Sequence, residues 1–90
     1  MKRKLKIEQI INHHLAVKFL DVKDVSKLHE GHAGYKEGHE THFEIKLVST
    51  NFEGVSKLER HRTLNKLLME ELNSGLHSVS YNLLSTSELE

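Results

Sequence analysis

Histidine is the chemistry-bearing residue of this chain: there are eight in ninety residues, and no cysteine. Four of them fall between His29 and His42 in the segment LHEGHAGYKEGHETHF, and another sits in the triplet Arg60-His61-Arg62. Imidazole is a common transition-metal ligand and the side chain that titrates nearest neutral pH. A chain rich in imidazole and free of thiolate can offer a metal some ligands, yet it cannot alone hold a cysteine-ligated cluster. The composition points to half of a metal site, with the other half on a partner.

The spacings exclude the familiar histidine enzymes. His29-Glu30-Gly31-His32 and His39-Glu40-Thr41-His42 are each one residue short of H-E-x-x-H. They also fall in a loop and at a strand start, not on a helix that would bring both rings to one face. No serine lies in a G-x-S-x-G or S-x-x-K arrangement, and the glycine-rich stretch lacks the lysine and following helix of a phosphate loop. The expectation is a protein that is not an enzyme.

The elements that must position these residues fit one small domain, residues 1–90, near the lower size limit for a core without staples. No stretch is apolar enough for a membrane span or a secretory signal, and Met1-Lys2-Arg3-Lys4 reads as a solvated helix start. The expected setting is the cytoplasm. Basic and acidic residues balance at 13 each, which argues against tight non-specific nucleic-acid binding.

Leu5 to His14 is predicted as a helix carrying Ile7, Ile10, Ile11 and His14 on one stripe, with His13 and His14 structural at its end. Leu15 to Val25 reads as a half-buried strand, and Ser26 to Glu40, with Gly31, Gly34 and Gly38, as a long functional loop. In the strand Thr41–Ser49, Phe43, Ile45 and Leu47 should point inward, and His42, Glu44 and Lys46 outward. After a turn at Asn51–Gly54, Ser56 and Glu59 match a capping box. They open a helix to about Asn73 whose buried stripe is Leu58, Leu64, Leu67, Leu68 and Leu72. Gly75 stops it, Val79, Tyr81 and Leu83 alternate in a third strand, and Ser85–Leu89 starts a short terminal helix. The order α-β-β-α-β predicts an α+β fold with helices on one face of a three-stranded sheet.

Arg60-His61-Arg62 offers either a basic face for a partner's carboxylate or phosphate, or solvated arginines around a His61 packed at the sheet edge. His77, at the start of the third strand, is either a ligand or a hydrogen-bonded structural residue.

Taken in order, several segments resemble the BolA-like proteins. These are Asp24-Val25-Ser26, Gly31-His32-Ala33, Glu40-Thr41-His42-Phe43 and Leu47-Val48-Ser49, followed by Phe52-Glu53-Gly54, Leu58-Glu59-Arg60-His61-Arg62 and Leu76-His77-Ser78-Val79. The resemblance runs from about Ile7 to Glu88, so the whole chain reads as a single BolA-like domain. It implies a class II KH-like fold, with a mixed three-stranded sheet and helices on one side. Classical KH domains bind RNA through a G-x-x-G loop between two helices. Here Gly31-His32-Ala33-Gly34 lies between two strands, and the turn before the long helix contains only Gly54, which speaks against that mechanism.

The resemblance further implies partnership with a monothiol glutaredoxin around a shared two-iron two-sulfur cluster, none of it bound by the isolated chain. Glutaredoxin and glutathione would provide thiolates. The metal ligands would be His77 and, through the family's G-H-A, His32, with His29 and His39 as neighbouring substitutes. Arg60, His61 and Arg62 would then face glutaredoxin or the glutathione carboxylates. Imidazole ligands would raise the cluster's potential, as in Rieske centres. Because imidazole ligates when neutral, binding is expected to weaken as pH falls through ~6.5. Some bacterial members are described as DNA-binding transcriptional regulators. In that reading Arg60, Arg62 and Lys66 on the long helix form the contact surface. A metal-free adaptor is the third reading.

Overall fold

The computed structural model describes residues 2–32, 35–36 and 38–89, so Met1 and the Ala33-Gly34 half of the G-x-x-G tetrapeptide lie outside it. The elements are α1 (Arg3–His14), β1 (Val17–Asp24), β2 (His42–Ser49), α2 (Lys57–Leu67), α3 (Met69–Asn73) and β3 (Ser78–Leu84). Short 3₁₀ turns cover Ser26–His29, Thr50–Phe52 and Thr86–Leu89. Strand order is β1-β2-β3. The β1–β2 pair is antiparallel, with Leu20 opposite Leu47 and Val22 opposite Ile45. The β2–β3 pair is parallel, with Phe43 beside Val79 and Leu47 beside Leu83. The expected α+β architecture and mixed sheet are therefore present.

Alternation along the strands sends Val22, Phe43, Ile45, Leu47 and Leu83 into one core with Ile7, Ile11, Leu64 and Leu68 from the helices. The pair Ile7 and Ile11, one helical turn apart, is what holds α1 to the sheet. Lys2 gives α1 no side-chain cap. Instead the Glu40 carboxylate accepts from the backbone N–H of Arg3 at 3.0 Å and of Lys4 at 3.3 Å. The carboxylate satisfies two otherwise orphaned donors and suits the positive end of the helix dipole. It also ties the end of the long loop to the start of the chain.

Three expectations about the long helix change. The backbone at Leu68 (φ −96°, ψ 13°) divides it into α2 and α3, although no glycine or proline marks the break. Leu68 is fully buried, an example of tertiary packing overriding local propensity. Leu58 is 59% exposed, not part of the buried stripe, because the inward positions are Arg60, Leu64 and Leu68 at i, i+4 and i+8. At the N-terminus Ser56 Oγ accepts from the Glu59 N–H at 3.2 Å, while the Glu59 carboxylate pairs with Arg62.

Arg60 is the largest departure. Expected on an exposed face, it is only 5% exposed and works inside the fold. Its Nε donates to the Val55 carbonyl at 2.9 Å, and its Nη1 donates to the Leu83 carbonyl at 3.0 Å and to the Glu88 carboxylate. The guanidinium also lies over the Phe52 ring. It joins the turn before α2, the end of β3 and the C-terminal 3₁₀ turn. Glu53 secures the same turn by accepting from the Ser87 N–H and the Thr86 and Ser87 hydroxyls.

Replacing Arg60 with Met should cost about 2–4 kcal/mol, because buried carbonyls lose their donor and Glu88 its partner. Arg62→Ala should cost under about 1 kcal/mol, its ion pair with Glu59 being exposed. Urea denaturation of both variants checks this, and equal losses would contradict the assignment. Glu88 gives a pH signature. Hydrogen bonds from the Ser85 N–H, the Ser85 hydroxyl and Arg60 lower its carboxyl from 4.5 to about 2. A depressed carboxyl stabilises the fold above its unfolded value and loses that contribution as pH falls through the folded one. The stability gap between wild type and Glu88→Gln should therefore be full near neutrality, narrow below pH 4.5 and close by about pH 2.

Candidate metal-binding edge

The histidines meet where β2 and β3 begin. The Thr41 carbonyl accepts from both the His77 N–H (2.8 Å) and the Ser78 N–H (3.2 Å), pinning the start of β3. On the other side of His77, Gly75 adopts φ +117°, a conformation that favours glycine. Arg3 fixes the preceding turn by donating to the Glu71 carbonyl (3.1 Å) and the Ser74 carbonyl (3.1 Å). Its Nε lies 3.7 Å from the largely buried Glu71 carboxylate. His77 is thus an exposed side chain on a fixed backbone.

The loop reaches the same edge through Ser26. Its hydroxyl accepts from the N–H of Thr41 (2.9 Å) and of His42 (3.1 Å) and donates to Asp24 Oδ1 (2.6 Å). The 3₁₀ turn that follows lays His29 flat on His42, with centroids 4.1 Å apart and planes at 12°. Exposed His32 meets His29 edge-on at 5.6 Å. On the far side His42 lies 5.2 Å from His77. His32, His29, His42 and His77 therefore form one row of rings. The two predicted ligands, His32 and His77, stand at its ends and do not touch; His29 lies between them. His39 faces the site from another direction, sharing with His77, Lys36 and Arg3 a groove of about 450 Å³.

His42 is the residue whose burial strand alternation does not reveal. Expected on the exposed side with Glu44 and Lys46, it is 3% exposed because the 3₁₀ turn folds back over that end of the sheet. Its Nδ1 is in hydrogen-bond contact with Thr41 Oγ1 at 2.8 Å. Arg3, Glu40 and Glu71 were also unmarked as site-positioning residues, since no local pattern relates the chain's start to residues 71–74.

The donor chemistry suits a partial site. Imidazole nitrogens bind borderline metals, and the described residues bring no group of three or more His, Cys, Asp or Glu into position to hold an ion. Parallel stacking sets the His29 and His42 planes side by side, so their in-plane lone pairs do not converge on one point.

The Arg-His-Arg triplet lies away from this edge. Leu83, where Arg60 anchors, is roughly 20 Å along β3 from His77 at ~3.3 Å per residue. Arg62 is exposed and paired with Glu59. His61 packs edge-on against Tyr81 at 4.8 Å, as the sheet-edge alternative expected. The Tyr81 hydroxyl donates to Asn65 Oδ1 at 2.9 Å, and burial raises its pKa, so it stays a neutral donor.

The family model for BolA-like proteins matches residues 11–88. Among curated relatives, the chloroplastic protein BOLA1 of Arabidopsis thaliana is 51% identical over 63 residues, covering 68% of this chain and 39% of that protein. The chloroplastic/mitochondrial SufE-like protein 1 of the same plant is 40% identical over 82 residues, 87% of this chain and 22% of that protein. The chain thus spans well under half the length of these two relatives. The DNA-binding transcriptional regulator BolA of Haemophilus influenzae is 34% identical over 82 residues, covering 91% of this chain and 76% of that protein. Among solved structures, BolA1 from Arabidopsis thaliana superposes with a TM-score of 0.87 at 40% identity, covering 98% of this chain and 96% of that one. No helix among the described residues is long and apolar enough to cross a membrane. Fold, strand pairing and sequence agree: the chain belongs to the BolA-like protein family.

Proposed function

We propose that this chain is a non-enzymatic partner of a monothiol glutaredoxin, supplying histidine ligands to a two-iron two-sulfur cluster shared with glutaredoxin and its glutathione. The observation that carries this reading is the single edge at which a backbone-fixed, exposed His77 lies beside His42, on which the loop's His29 stacks. His77 is the stationary ligand. His32 is the loop ligand, because its ring is exposed and touches the row only edge-on, whereas His29 must unstack to ligate. His39 enters from the groove side as the substitute. The thiolates this chain lacks come from the partner, and the work is cluster assembly, trafficking or iron sensing. The cytoplasmic setting remains part of this reading, while the two plant relatives are named for chloroplast or mitochondrion.

A second reading is DNA-binding regulation, favoured by the name of the Haemophilus influenzae relative and by exposed Lys57, Arg62 and Lys66 on α2. Arg60 is withdrawn from that surface by its burial, and formal charge is zero. Sequence-preferring DNA binding that weakens steeply with salt would support it.

Anaerobic titration of cluster-loaded monothiol glutaredoxin, followed by visible absorption and circular dichroism, tests the first reading. Wild type should change the cluster spectrum to a one-to-one endpoint, and His77→Ala should abolish the change. His32→Ala should weaken it; a wild-type response from that variant moves the loop ligand to His29 or His39. Binding without spectral change would leave a metal-free adaptor.

A further inference from the structure

His42 holds a place that neither ligand assignment uses. It is a buried imidazole at the first position of β2, with one face under His29 and the His77 ring tilted beside it. Its ring is anchored by Thr41, whose hydroxyl contacts Nδ1 and whose carbonyl holds the His77 and Ser78 backbone. Its own N–H donates to Ser26, the residue that opens the loop's 3₁₀ turn. Loop and strand are thus referred to one side chain.

From this geometry we infer that His42 is a positioning residue: a platform that seats His29 and orients His77, so that His32 and His77 are presented at one edge. The inference rests on the cluster reading for its functional consequence, but the platform belongs to the free chain. The reason is steric and directional. A ring stacked at 4.1 Å under His29 fixes the height of the 3₁₀ turn above the sheet. The same ring limits the directions in which the His77 imidazole can lie. Loss of such supporting contacts around a metal ligand usually costs about 10–100-fold in affinity.

A platform and a ligand respond differently to phenylalanine, which keeps a flat ring and has no donor nitrogen. In the free chain, His42→Ala should shift the His29 and His77 ring resonances in NMR spectra and speed amide exchange across residues 26–32. His42→Phe should keep both near wild type. In the glutaredoxin titration, His42→Ala should respond about 10–100-fold more weakly, and His42→Phe should recover most of the loss. Should His42→Ala unfold, His42→Leu fills the volume without a flat ring, and the same resonances should move. If phenylalanine fails like alanine in the titration while the free-chain rings stay in place, His42 is itself a ligand and the inference is overturned. Unmoved His29 and His77 resonances in folded His42→Ala, or in His42→Leu if that is the variant used, overturn it as well. Should wild type leave the cluster spectrum unchanged, the shared-cluster reading fails, and the free-chain resonances alone decide the platform.

Discussion

Parallel pairing of β2 with β3 is the constraint on which the rest of the site depends. Parallel strands begin at the same end of a sheet, so the residues entering them become neighbours however far apart they lie in sequence. Here that places His42 beside Ser78 and lets the Thr41 carbonyl take two N–H groups from the start of β3. Antiparallel β1 ends at the same edge, with Asp24 opposite Phe43. The loop from β1 to β2 therefore both leaves and returns where β3 starts. A histidine-rich loop in this position converges on His77 as a consequence of topology, before any side-chain contact is considered.

The two ends of the sheet are closed by similar chemistry used for different purposes. At the histidine edge, Arg3 binds the end of α3, Glu40 binds the start of α1, and Glu71 neutralises Arg3. At the opposite end, Arg60, Glu88 and Glu53 bind the last 3₁₀ turn to β3 and to the turn before α2. A chain of ninety residues with no cysteine has a small core and no disulfides. Several hydrogen bonds, each contributing about 1 kcal/mol net, then matter to whether the segment ends stay docked. The first lock holds the His77 backbone in place, whereas the second only holds the fold together. The difference explains how one arginine of a conspicuous basic triplet is a structural part while an arginine near the chain's start supports the site.

Much of this was legible in the sequence for physical reasons. Strand alternation identified Phe43, Ile45 and Leu47, the isoleucines of α1 followed helical spacing, and Ser56 and Gly75 marked the ends of the α2–α3 segment. The family resemblance supplied the sheet's mixed character, and it is the source of the proposal that His32 and His77 are ligands. What stayed hidden required knowledge of contacts between distant segments. Alternation places His42 on the open face correctly, but cannot say that residues 26–29 fold back to cover it. Arg60 looks solvated until its spacing with Leu64 and Leu68 is read as the inward stripe. The break at Leu68 leaves no local mark at all.

Stacking also answers how a chain can carry several imidazoles at one edge without tying them up. Rings packed face to face or edge to face hold one another through dispersion and quadrupole contacts, worth about 0.5–1.5 kcal/mol per pair. That is enough to give the loop a resting position and too little to resist a metal–nitrogen bond. His32, at the end of the row, gives up a single edge contact on leaving it. His29 gives up its stack on His42 as well, and with it the docking of the 3₁₀ turn. The cost of recruiting a ligand therefore rises from the outside of the row inward. Under the proposed cluster reading, recruitment from the exposed end would leave the inner rings seated, so that His77 would keep its orientation while His32 moves.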